Sequence, residues 1–237
     1  MGISGVGASG TGIGALDKVD RETMGARVYR DLRNLIMAGQ VSPGDRLTIR
    51  TLAAALGTSM MPVRDAITRL AAEQALEVLP NRTVRVPIMT RARFEEVRTI
   101  RLMLEGHAVE TAAAIVTDEA LARIGALHEE FTAEHNTGDP DPAALIRINK
   151  DFHFRIYEAA AMPALLQIIE GLWLQIGPVL NFDLRSKSKR LSERVALHHH
   201  GDLLDALGRR DGPAARAALA GDIVSAGDFI LRCGSLV

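Results

Sequence analysis

The chain has 237 residues, 47% of them hydrophobic and 24% charged, with a formal net charge of −1. This is enough for one large domain or two small ones, each with its own core, and the composition is ordinary for a globular protein. Cys233 is the only cysteine, which excludes an internal disulfide and a cysteine-rich zinc site. No apolar run reaches transmembrane length, so no membrane partner is expected and a cytoplasmic location follows most simply. Residues 1–16, MGISGVGASGTGIGAL, lack the basic start and long apolar centre of a secretory signal. Their six glycines and near absence of charge predict a disordered leader over residues 1–20. Gly5, Gly7 and Gly10 spell G-x-G-x-x-G, but no strand can precede them, so dinucleotide binding is rejected.

From about Arg21 to Ala38, Val28, Leu32, Leu35 and Ile36 recur at helical spacing, and Gly39 follows as a stop. Pro43-Gly44 marks a turn. A short helix fits residues 49–56 and ends at Gly57. Ser59 is placed to cap the next helix, Pro62 suits its first turn, and Val63, Ala66, Ile67 and Leu70 form its inner face. Two β-prone pieces, Leu76–Leu79 and Val84–Val86, flank the polar stretch 80–83. Three helices followed by a hairpin is the order of a winged helix-turn-helix, here residues 21–88. Beyond Thr90 the pattern is helical throughout, with helices near 91–115, 118–135, 142–160, 162–180, 191–208 and 212–232. The expected fold is therefore mainly α: a small winged domain, then an all-α antiparallel helical bundle over residues 91–235. Residues 21–90 carry ten Lys/Arg against six Asp/Glu, a balance of +4, whereas residues 91–237 carry seventeen against twenty-one, a balance of −4. Only the front of the chain is suited to meet a polyanion.

The runs SPGDRL and LAAALGTSMMPVRDAITRLAAEQALEVLPNRTVRV (residues 52–86) resemble the DNA-binding domain of the GntR superfamily. The segments IRLMLEGHA (100–108), NKDFHFRIYEAA (149–160) and HHHGDLLDALGRRDGPAARAALAGDI (198–223) resemble the FCD sensor domain of its FadR-like branch. The resemblance covers about residues 22–232. It implies a dimeric transcription factor, more often a repressor, that binds an inverted-repeat operator in double-stranded DNA and answers to a small effector. The chain departs from the family at Met60 (often Arg), Gln74 and Thr83 (usually Gly) and Asp222 (often His).

A recognition helix offers its N-terminal turn to base edges in the major groove. Arg64 lies there, off the apolar face, and an arginine can bridge guanine O6 and N7. Thr68 lies one turn on. Arg50 matches a DNA-contacting arginine of the family, and Ser59 with the adjacent backbone can hold a phosphate. Asn81 and Arg82 lie at the wing tip, in reach of a minor groove or a phosphate. For any one of these arginines the alternative is plain solvated charge. Met60 and Met61 can either touch thymine methyls or pack locally.

In the rear domain Asn149, His153, His200 and Asp222 stand where helical periodicity predicts burial. Buried polar groups need partners, and a carboxylate most of all. The resemblance places all four around one cavity at metal-ligand positions. Two imidazoles, a carboxylate and an amide suit a divalent ion such as Zn, Ni or Mn. The alternative is a hydrogen-bonded His–Asp cluster with no ion. His198 and His199 are expected to face solvent. Arg101 matches a position near the effector pocket and can clamp a small carboxylate, or it can pair with Glu105 at i+4. The rival functions are a metal-dependent hydrolase built on the helical domain and a protein-interaction bundle. No general base stands out near the ligand set, so an enzyme is not expected.

Overall fold

The computed structural model describes residues 23–80, 83–180, 194–233 and 236, so the leader and the wing-tip residues Asn81 and Arg82 lie outside the described residues. Among the described residues the first domain holds α1 (Met24–Met37), β1 (Arg46–Leu47), α2 (Ile49–Ala55), α3 (Met60–Ala72), β2 (Glu77–Val78) and β3 (Val84–Arg85). The second holds α4 (Arg91–Ile115), α5 (Asp118–His135), α6 (Pro142–Ala159), α7 (Pro163–Leu180), α8 (Val195–Gly208) and α9 (Gly212–Arg232). The mainly α class with a small sheet is as expected.

Two local details differ from the sequence reading. The sheet has three strands in the order β1-β3-β2, not a two-stranded hairpin. The third strand arises from the Ser42–Asp45 turn, where Gly44 takes φ +88°, a left-handed conformation that glycine adopts without strain. The Gly44 amide donates to the Val86 carbonyl (2.9 Å), and the Val86 amide donates to Asp45 (2.9 Å). This pair lays Arg46–Leu47 antiparallel to β3, with Arg46 opposite Arg85 and Leu47 opposite Val84. A two-residue strand shows no alternation in sequence, so only the tertiary pairing reveals it. The second difference is at α3, where Ser59 occupies the N-cap but makes no side-chain capping bond. By contrast Thr48 forms a full capping box with Thr51 at the start of α2.

In α3 Val63, Ala66, Ile67 and Leu70 are buried at 3% exposure or less, on the face that the spacing predicts. The long α4 packs on α9 and α7, and α5 packs on α6 and α8. α7 is an apolar helix of 18 residues, long and apolar enough by length and composition to cross a membrane, which corrects the expectation that no apolar run reaches that length. Here it is a core helix, burying Leu165, Ile169, Leu172, Trp173, Leu174, Ile176 and Val179.

α7 also joins the two domains. Glu170 pairs with Arg33 of α1 at 2.7 Å. A Cβ on Gly177 would stand 2.8 Å from the Ile36 carbonyl oxygen and 3.0 Å from the Met37 Cα, so only glycine permits this approach of α7 to the end of α1. At the start of α4, Arg93 donates to both Gln74 (2.9 Å) and Gln175 (2.8 Å), tying the end of the DNA-binding helices to α7. Gln74 stands at φ +60°, which explains why glycine is usual there.

Candidate DNA-reading face and ligand site

The outer face of α3 carries the residues singled out for DNA. Arg64, Thr68, Met60, Met61 and Ser59 are all exposed, as is Arg50 on α2. The Thr68 hydroxyl donates to the Arg64 carbonyl at 3.0 Å. Four arginines of the first domain are engaged by acids: Arg27 with Asp31, Arg33 with Glu170, Arg69 with Glu73 and Arg85 with Glu77. Arg46, Arg50 and Arg64 make no ion pair among the described residues. Arg46 was missed in the sequence reading, because its place on β1 depends on a strand that the sequence does not announce.

In the second domain three helices converge. His153 of α6, His200 of α8 and Asp222 of α9 each offer a ligand atom, all within 4.8 Å of one another. His153 and His200 are buried at 3% and 0% exposure. Asp222 and Asn149 are half-buried, not fully buried as the periodicity suggested. The buried stripe of α9 runs through Gly212, Ala215, Leu219, Ile223, Gly227 and Ile230, which leaves Asp222 at its edge. Asn149 lies one turn before His153, on the same side of α6. The His153 Nε2 to Asp222 Oδ2 separation is 3.4 Å. That is longer than the roughly 2.7–3.2 Å of an ordinary N–H···O bond. It equals the edge of a tetrahedron whose centre lies about 2.1 Å from each corner, the usual distance from a divalent ion to nitrogen or oxygen. The other ring nitrogen, His153 Nδ1, is buried with no hydrogen-bond partner. The donor set and its convergence from three helices are those of a possible divalent-ion site.

His198 is exposed and close to Asp202 (3.4 Å). His199 is half-buried against Gly221, which corrects the expectation that it faces solvent.

A second polar cluster abuts the first. Arg101 is 3% exposed and Glu105 is fully buried. Arg101 Nε and Nη2 donate to the two Glu105 oxygens at 2.6 and 3.1 Å. Tyr157 Oη donates to Glu105 at 2.5 Å and Trp173 Nε1 at 3.1 Å. The guanidinium carbon lies 5.0 Å from the centre of the Trp173 ring, which stands 5.8 Å from the His153 ring. Burial opposes the Arg101 charge, but the Glu105 carboxylate outweighs it, so the guanidinium is held more firmly protonated than usual, with Asp222 adding in the same sense. Burial pushes the Tyr157 phenol well above its ordinary range, and Glu105 adds to the shift. Of the two roles open to Arg101, the structure shows the salt bridge to Glu105. Tyr157 and Trp173 were not singled out in the sequence. For Tyr157 the signal was its i+4 spacing from His153, whereas nothing local marked Trp173.

A three-helix domain with a small winged sheet, joined to a helical domain with a buried polar site, defines a two-domain transcription regulator. Residues 24–86 match the bacterial regulatory proteins of the gntR family, and residues 96–224 match the FCD domain. The chain is 33% identical over 204 residues to the HTH-type transcriptional regulator McbR of Escherichia coli strain K12, covering 86% of this chain and 90% of that protein. The solved structure of E. coli McbR/YncC superposes with a TM-score of 0.83 at 30% identity, covering 90% of this chain and 99% of that one. The HTH-type transcriptional repressor RspR of E. coli strain K12 is 26% identical over 196 residues, covering 81% of this chain and 82% of its own length. The chain belongs to the GntR family of DNA-binding transcriptional regulators, with an FCD domain. The matched domains and relatives are those of regulators, not enzymes, and none of them supports the metal-dependent hydrolase reading.

Proposed function

We propose that this chain is a homodimeric, cytoplasmic repressor whose affinity for an inverted-repeat DNA operator is set by a small organic acid together with a divalent ion. In this reading residues 21–88 bind DNA, and residues 91–235 bind the effector and form the dimer. Arg64 reads a guanine. Arg50, Arg46 and Ser59 hold phosphates, Thr68 supports the same face, and Asn81 and Arg82 reach the DNA from the wing. A single recognition helix covers only a few base pairs, so a two-fold symmetric site is expected. The name of one relative, a transcriptional repressor, favours repression.

The observation that carries the ligand half of the proposal is the convergence of His153, His200 and Asp222 within 4.8 Å from three separate helices. Asn149, one turn before His153 on α6, adds an amide oxygen in this reading. An ion held there, Zn, Ni or Mn, supplies positive charge and open coordination positions to an acid. The surrounding residues are one cation, Arg101, and two anions, Glu105 and Asp222. A divalent ion turns that balance from one negative charge to one positive, which suits a monocarboxylate. Because Glu105 occupies two donors of Arg101, the arginine acts on the acid through its field and its remaining N–H groups, not as a bare clamp. Effector binding changes operator affinity only by favouring one arrangement of the dimer.

Elemental analysis of untagged protein purified without chelator tests this reading. Stoichiometric metal in the native chain, lost in His153→Ala and His200→Ala, is the expected result. If no metal is found, and added Zn, Ni or Mn neither raises the melting temperature nor alters acid binding, the metal part is wrong.

A further inference from the structure

We infer that Met60 and Met61 are specificity-determining residues that read thymine methyl groups beside the guanine taken by Arg64, so that the half-site is a guanine set among A·T pairs. This rests on the DNA-contact role of α3 proposed above and adds to it the identity of the neighbouring bases.

The first turn of α3 exposes two large apolar side chains, Met60 at 54% and Met61 at 66%. Local packing, the other role open to them, does not use them. The inner face of the helix is completed by Val63, Ala66, Ile67 and Leu70. At about 100° per residue, Met60 lies about 40° to one side of Arg64, and Thr68 and Met61 about 40° and 60° to the other. Arg64 is therefore bracketed by apolar side chains on the surface that a major groove would meet. The Thr68 hydroxyl spends its proton on the Arg64 carbonyl, so it cannot donate to a base edge. The guanidinium is left as the main hydrogen-bond donor of this face.

Two unconnected features agree on the occupant. Arg46, Arg50 and Arg64 lack acidic partners among the described residues, which calls for a polyanion. The exposed methionines call for apolar groups at the same surface. Duplex DNA supplies both, because phosphates flank a major groove in which the thymine C5-methyl is the chief apolar group. Methionine, unbranched and polarizable, can follow a methyl on either strand.

The experiment selects binding sites for the full-length protein from a random duplex pool. Deoxyuridine then replaces thymidine at the positions flanking the enriched guanine, a change that removes only the C5-methyl. Losing the burial of one methyl should weaken binding about three- to fourfold. The Met60→Ala/Met61→Ala variant should bind thymidine and deoxyuridine duplexes alike, with its melting temperature unchanged because both side chains are exposed. Arg64→Ala should lose the guanine preference yet keep its sensitivity to deoxyuridine. Selected sites without flanking thymine, or equal binding of both duplexes by the unaltered protein, overturn the inference while leaving the DNA-contact role of α3 in place. A double variant that changes sedimentation but not deoxyuridine sensitivity marks the pair as a contact between copies and also overturns it. If no sequence is enriched at all, the DNA-contact role itself falls.

Discussion

In the N-terminal domain Arg46, Arg50 and Arg64 stand exposed with no acidic partner among the described residues, while in the helical domain Arg101 is 3% exposed and gripped through two of its nitrogens by Glu105. The same side chain thus serves two ends. In water an unpaired guanidinium keeps its hydration and remains available to a phosphate or a base edge. In the core it would lose that hydration, so a carboxylate must replace it, and that carboxylate in turn takes donors from Tyr157 and Trp173. The difference separates surface open to a partner from a polar core that ties α4, α6 and α7 together.

The sharpest way to break this comparison is to remove the buried anion. Glu105→Ala leaves Arg101 charged and uncompensated, and should destabilise the fold by roughly 3–5 kcal/mol in urea unfolding. The Arg101→Met/Glu105→Leu pair should recover most of that loss, since apolar residues of similar volume often replace a buried ion pair without penalty. If Glu105→Ala melts like the parent, the pair is not the structural element described here.

A smaller effect is expected where the two regions meet. Gly177→Ala drives a methyl against the Ile36 carbonyl and the Met37 backbone, neither of which can rotate aside. It should cost about 1–3 kcal/mol of stability. It should also change operator affinity with metal uptake unaltered, because the strain falls on the contact between α7 and α1 and not on the histidines. Unchanged melting and unchanged DNA binding would mean that the two helices part easily.

Arg64→Ala is the exposed counterpart. Its melting temperature should match the parent, whereas operator binding should weaken by about 1–3 kcal/mol and specificity should relax at one position of each half-site. An unchanged footprint would remove Arg64 from the reading role. The smallest effect is at Thr48, whose hydroxyl accepts from the Thr51 amide at 3.1 Å. Thr48→Ala should lower stability by about 1 kcal/mol through loss of the cap. It should reduce DNA binding only slightly, by loosening the helix that presents Arg50.

Much of this architecture was legible in the chain alone, for reasons that differ from place to place. Val63, Ala66, Ile67 and Leu70 announce both a helix and its inner face, because burial at a 3.6-residue period is a local property. Arg64 could be placed on the outer face for the same reason. Ser59 was placed correctly at the N-cap but makes no side-chain capping bond, because position selects a capping residue and only its rotamer decides whether it caps. Asp222 was placed near the histidines, yet its partial exposure was not foreseen, since a stripe one residue over serves the α9 interface equally well on periodicity.

The sequence by itself determined the class of fold and the order of its helices, and it marked candidate residues for DNA and for a metal, because these rest on local periodicity, turn chemistry and side-chain type. Tertiary structure decided the rest. It paired Arg46–Leu47 into the sheet, closed Glu105 onto Arg101 with Tyr157 and Trp173 around it, and brought α7 so close to α1 that only Gly177 fits. It also joined His153, His200 and Asp222, which are 47 and 22 residues apart in the chain, into one cluster. Apart from the Arg101–Glu105 pair, which lies within one helix, each of these contacts links segments distant in sequence. Such contacts depend on which helix faces meet when the core packs, and a residue's own neighbours in the chain do not specify that.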